Sequence, residues 1–174
     1  MIDEQLFALA TEVLDKCRNK GIMLSAAESC TGGLVCATLT AIAGSSDVVD
    51  RGFVTYSNDA KHEMLGVSRE ILKQHGAVSP ECAVAMAEGA LSRSRASIAC
   101  SITGIAGPGG GTPDKPVGLV YVACAAKGHQ TRHQRLLLSG RDRTTIRQKS
   151  ALTALLTISD QADLFPTAGA SDPT

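Results

Sequence analysis

Apolar residues recur every three to four positions along "DEQLFALATEVLDKCRN", at Leu6, Leu9, Val13 and Cys17, which predicts an amphipathic helix over 3–19 stopped by Gly21. The period then changes. "IMLSAAE" (22–28) is a short apolar run between turn signals and predicts a buried strand, and "TGGLVCATLTAIAG" predicts a helix ending at Gly44. "RGFVTYSN" (51–58) reads as a second strand, followed by short helices in "DAKHEMLG", closed by Gly66, and "SREILKQHG", capped by Ser68. Ser79 followed by Pro80 opens a helix through "SPECAVAMAEGALSRSR". "ASIACSIT" (96–103) has the continuous apolar character of a central strand, and it runs into the glycine-rich "GIAGPGGGTPDKP". "VGLVYVACAA" and "TRHQRLLLS", joined by "KGHQ", predict an antiparallel hairpin, and "RDRTTIRQKSALTALLTI" a closing helix. No internal repeat interrupts this order.

Strands alternating with helices and ending in a hairpin predict an α/β fold, a three-layer α/β/α sandwich with a mixed, mostly parallel sheet. The 174 residues suit one domain over 1–160, with a disordered C-terminal tail over 161–174. Composition narrows the function. With 17 basic and 17 acidic residues there is no charge run to hold nucleic acid or a membrane surface, and 3% aromatics with no Trp leaves no evident stacking platform. The six cysteines form no C-x-x-C pair and sit mostly in apolar runs, which suits small core residues. Without a signal peptide or a run of about 18 apolar residues, the expectation is a reduced, soluble, cytoplasmic protein.

Ligands of open α/β sheets bind beyond the carboxyl ends of strands, where "ESCTGG", "TYSNDAK" and "TGIAGPGGG" fall here. Thr31, Gly32 and Gly33 at a helix start offer backbone N–H groups and a positive dipole end to an oxyanion or phosphate, although close packing at a capped helix would use the same glycines. Ser29 is a nucleophile only if a base takes its proton. None of His62, His75, His129 and His133 has the setting of a Ser-His-Asp system. The remaining base is Lys61, provided that burial makes it neutral, and Tyr56 lies five residues before it; an ordinary solvated lysine is the alternative. Arg141, Arg143 and Arg147 crowd the start of the last helix, where cations are disfavoured. A phosphate gripped by Arg143 and Arg147, or a carboxylate such as Asp142, would offset that. "GGGTPDK" is not an ATP-type phosphate loop, and no His/Cys/Asp/Glu cluster has metal-ligand spacing.

Taken in order, "AESCTGG", "AGSSDVVDRGFVTYSNDAKHEMLGV", "HGAVSPECAVAMAEGA", "TGIAGPGGGTPDKPVG" and "GRDRTTIR" resemble the CinA C-terminal domain family in its stand-alone form, the nicotinamide mononucleotide deamidases. The resemblance implies hydrolysis of the nicotinamide carboxamide to a carboxylate and ammonia in bacterial pyridine nucleotide recycling, with no metal and no cofactor. Larger members carry a further N-terminal domain whose functions are not expected here. Matched by motif, Ser29, Tyr56 and Lys61 are the catalytic positions. Lys61 would take the Ser29 proton directly or through Tyr56, and N–H groups near Thr31 to Gly33 would hold the oxyanion. Ser46 and Thr103 are alternative nucleophiles or substrate contacts, and Gly104 joins the substrate-binding set. Glu28 or Asp47 would face the pyridinium, and Arg141, Arg143 or Arg147 the phosphate. Gly109 stands where many relatives have Asp. The expected partners are a small nucleotide substrate and further copies of the chain, a dimer or larger, with neither nucleic acid nor membrane. A non-catalytic nucleotide-binding or regulatory module is the competing reading, and a phosphate-releasing hydrolase, which would want a metal, a third.

Overall fold

The computed structural model describes residues 3–168. The first helix, α1 (Glu4–Asn19), starts where the Asp3 side chain accepts from the Gln5 N–H. Strand β1 (Leu24–Glu28) is buried at every position and leads through a turn to α2 (Leu34–Thr40). A short 3₁₀ turn, Ser45–Asp47, precedes β2 (Val49–Val54). Helices α3 (Asn58–Leu65), α4 (Arg69–Gln74) and α5 (Pro80–Ser92) follow, with Ser57, Ser68 and Ser79 as N-caps. The chain ends with β3 (Ile98–Gly104), β4 (Leu119–Ala126), β5 (Arg132–Leu137) and α6 (Arg143–Ala162).

The five strands form one sheet in the order β2-β1-β3-β4-β5. β1 pairs parallel with β2 and β3, while β3–β4 and β4–β5 are antiparallel, so four of the five strands run one way and only β4 opposes them. Period-two alternation along β3 divides the core. Ile98, Cys100 and Ile102 face one way and pack with Leu14, Ile146, Leu155 and Ile158 of α1 and α6. Ala99 faces the other way, toward Cys82, Met86 and Ala90 of α5. Alanines on both sides of that second interface, Ala83 and Ala87 against Ala123 and Ala125, let α5 lie close to the sheet. Gly89 extends the close approach to α3, since a Cβ there would come within 2.1 Å of the Leu65 carbonyl oxygen. The result is the expected three-layer α/β/α sandwich with a mixed sheet.

Two boundaries differ from the sequence reading. β2 lies at 49–54 rather than 51–58, because Ser57 caps α3 and takes Asn58 into the helix. α6 extends to Ala162, and Phe165 packs against the core while its carbonyl accepts from Lys20, so the segment expected as tail from 161 is structured as far as 168. The rest of that segment lies outside the described residues. Among the described residues no helix is long and apolar enough to cross a membrane.

Candidate active site

At the carboxyl ends of β1 and β3 lies a cavity of about 290 Å³, near the lower limit for small-molecule sites. Three segments build it: the turn after β1 with Ser29 and Cys30, the β2–α3 junction with Tyr56, Asn58 and Lys61, and the loop after β3 from Thr103 to Gly110. Ala77 and Val78 close one side and Arg143 the rim.

Lys61 decides the chemistry. It is only 1% exposed, and its Nζ donates to Ser29 Oγ at 3.0 Å and to the Thr55 carbonyl at 2.9 Å. Among the described residues no carboxylate pairs with it, and burial pushes its pKa below the ordinary lysine value. The solvated-lysine alternative therefore fails. Lys61 is held on a helix closed by Gly66, and Ser29 on a turn pinned by its own N–H to the Ile102 carbonyl at 3.0 Å, so a rigid strand and a rigid helix meet across one hydrogen bond. A buried amine with a lowered pKa beside a serine hydroxyl is the arrangement that generates an alkoxide.

Tyr56 lines the same cavity but is not in that pair. Its hydroxyl accepts from Arg143 Nη2 at 2.9 Å, and Arg143 Nη1 donates to the Gly107 carbonyl at 2.6 Å. Arg143 thus ties the two walls of the mouth together. Of the two expected routes, direct or through Tyr56, the geometry holds the direct Lys61–Ser29 contact.

Several expected contacts are placed elsewhere. Glu28 does not line the cavity: it is 1% exposed and turned beneath α2, where Oε2 accepts from the Gly33 and Val35 N–H groups, each at 3.1 Å, and Oε1 from the Cys36 N–H at 3.0 Å. The helix end proposed as an anion cradle is therefore filled by the chain's own carboxylate. Gly32 and Gly33 have φ of 59° and 96° and serve the sharp turn. Thr31 is fully buried, with its carbonyl accepting from Arg147 Nη2 at 2.7 Å, so Arg147 braces the Ser29 turn from behind and does not share a ligand with Arg143. The N–H groups of Cys30 and Thr31, by contrast, have no acceptor among the described residues.

Ser46 is exposed in the turn before β2, at the opposite end of the sheet, and Asp47 lies 3.7 Å from Arg18 on that same side. Neither reaches the cavity, whose lining holds no acidic residue among the described residues. Thr103 lines it, but its hydroxyl donates to the Ala77 carbonyl at 2.7 Å and fixes that wall. Gly104 is required by packing, because a Cβ would come within 2.8 Å of the Leu119 carbonyl oxygen. Arg141 is exposed and outside the lining. Asp142 is the N-cap of α6, accepting from Thr145 N at 3.0 Å, and pairs with no arginine among the described residues. Gly109 borders the cavity with open space around the place a Cβ would take. Asn58 was not singled out by the sequence, although "TYSNDAK" carries it within three residues of Lys61. No group of three or more His, Cys, Asp or Glu among the described residues could hold a metal ion.

Residues 6–162 match the model of the family described as the CinA C-terminal domain. The chain belongs to that family. Among CinA relatives, the nicotinamide-nucleotide amidohydrolase PncC of Escherichia coli is 47% identical over 161 residues, which cover 92% of this chain and 97% of that one. The putative competence-damage inducible protein of Caldicellulosiruptor bescii is 49% identical over 155 residues, 89% of this chain, yet this chain spans only 36% of that longer relative. The crystal structure of the competence/damage inducible protein CihA from Agrobacterium tumefaciens superposes with a TM-score of 0.91 at 49% identity, covering 92% of this chain and 98% of that one.

Proposed function

We propose that this CinA-family chain is an amidohydrolase that converts nicotinamide mononucleotide to nicotinic acid mononucleotide and ammonia in pyridine nucleotide recycling. The observation that carries the reading is the buried Lys61 amine, with no carboxylate partner among the described residues, 3.0 Å from Ser29 Oγ in the lining of a cavity of about 290 Å³. The name and near-complete coverage of the Escherichia coli relative support the substrate.

In this mechanism neutral Lys61 accepts the Ser29 proton as Oγ attacks the carboxamide carbon. The N–H of Cys30, a residue of the cavity lining, rather than that of Gly33, receives the developing oxyanion. The Lys61 ammonium then returns its proton to the departing nitrogen, the C–N bond breaks, and ammonia leaves an ester on Ser29. Water, deprotonated by Lys61, releases the acid. Arg143 at the rim meets the phosphate. No carboxylate among the described lining residues faces the pyridinium, and the exposed ring of Tyr56, which lines the cavity, is its aromatic partner. The reading places the enzyme in the cytoplasm as an assembly of identical copies, for which the exposed Phe7 and Leu156 offer apolar surface.

Ammonia release from the mononucleotide, with nicotinamide riboside as the control lacking phosphate, tests it. Release from the mononucleotide that disappears in Ser29→Ala is expected. An unchanged rate in Ser29→Ala overturns the nucleophile, and no release from either compound favours a binding module.

A further inference from the structure

Asn58 and Lys61 are three residues apart on α3, so they share a helix face, and both line the cavity. Their backbones differ in height by about 4.5 Å along the helix axis, three residues at 1.5 Å each. Lys61 and Ser29 are buried while Asn58 is exposed, so Asn58 stands nearer the mouth. The other polar side chains of the lining are engaged: Thr103 with Ala77, Lys61 with Ser29 and Thr55, and Arg143 with Gly107 and Tyr56. The Asn58 side chain makes no hydrogen bond to any described residue, although its amide holds two donors and an acceptor. It is not spent on capping, because Ser57 Oγ takes that role toward Ala60 N at 3.0 Å.

A substrate with its carboxamide at Ser29 and its phosphate at Arg143 must pass its sugar between these points. Asn58 lines the cavity together with both of these anchors, so a sugar spanning them is brought to its side chain. Two adjacent hydroxyls, each able to donate and accept, match a side-chain amide that does both. From this juxtaposition we infer that Asn58 is a specificity-determining residue that reads the vicinal hydroxyls of the substrate's ribose, and so selects ribonucleotides over deoxyribonucleotides and over pyridinium amides without a sugar. The inference rests on the amidase reading above.

The test is a cycle of kcat/KM values for the unsubstituted protein and Asn58→Ala, each on nicotinamide mononucleotide and on its 2′-deoxy analogue. Loss of the amide is expected to lower kcat/KM on the ribose substrate by roughly 10- to 100-fold, the range for leaving a site's polar partner unmet. Removing the 2′-hydroxyl should cost the unsubstituted protein a similar factor, and Asn58→Ala should show little further loss on the deoxy analogue. Asn58→Asp, which keeps the shape and suits a helix start, loses the donors and should behave like the alanine variant. Equal factors for Asn58→Ala on both substrates would overturn the inference while leaving the amidase reading intact. No turnover by the unsubstituted protein on either substrate would overturn both.

Discussion

Replacing Lys61 with Met separates what this side chain does for chemistry from what it does for the fold. Met keeps most of the length and the apolar stem, and removes the amine from a site that is 1% exposed. Loss of a positioned base lowers rates by about 10²- to 10⁴-fold, so kcat should fall by at least two orders of magnitude. Stability should move little. Two hydrogen bonds vanish, to Ser29 Oγ and the Thr55 carbonyl, each worth about 1 kcal/mol net, and the Thr55 oxygen loses a partner. Against this stands the desolvation of an amine with no counter-charge, which costs several kcal/mol when charged. These terms nearly cancel, leaving Lys61→Met within about 1 kcal/mol of the parent, or roughly 2–4 °C in Tm. The pH dependence has a definite sign. Because the folded-state pKa of Lys61 is depressed, the unfolded chain binds the extra proton between the two values, so stability rises with pH toward the unfolded pKa of about 10.4. That slope should be absent from Lys61→Met, and parent kcat/KM should rise with pH as the neutral amine accumulates. Ammonia-release kinetics and thermal unfolding across pH measure all of this. A Lys61→Met enzyme within tenfold of parent kcat would refute the assignment of Lys61 as base.

Glu28→Ala should leave three α2 N–H groups without their carboxylate and lower stability by about 2–4 kcal/mol in chemical denaturation, with Glu28→Gln recovering part of it. Arg143→Gln should raise KM for the mononucleotide by roughly 10-fold or more and cost the riboside less, since only the former carries phosphate while both lose the brace to Tyr56 and Gly107. The Asp50 carboxyl, whose side chain is 1% exposed, accepts from the Arg95 N–H and from the Arg95 and Arg51 guanidinium groups, and these bonds hold its pKa at about 2. Its contribution is present above the unfolded carboxyl pKa of about 3.9 and lost as pH falls through 4 toward 2; Asp50→Asn should flatten that acid limb in thermal melts.

The chain's alternating periods made the layers readable, because each element buries a face whose spacing is written locally. Contacts between distant segments were not. Nothing near Arg147 tells that it reaches back 116 residues to Thr31, or near Arg143 that it spans Tyr56 and Gly107. Two misplacements had signals in the sequence. Successive side chains on a strand face opposite ways, so Glu28 at the last position of β1 was poorly placed to share a cavity with Ser29. Ser46 precedes a strand rather than following one, and so belongs at the end of the sheet away from the ligands of such folds. The edge position of β2 explains the shifted boundary: its exposed, polar "VDRGFV" lacks the continuous apolar run of a central strand.

The Glu28 plug beneath α2 also sets how the protein meets ions in solution. With that helix end internally compensated, attraction of an anion falls to a guanidinium in contact with water, whose field fades over about 8 Å at physiological ionic strength. The Ser29–Lys61 pair sits in a water-poor interior where dissolved salt hardly penetrates. Raising the salt concentration should therefore slow the encounter with substrate while leaving turnover of the bound complex almost untouched, so that one protein shows two unlike ionic-strength responses according to depth.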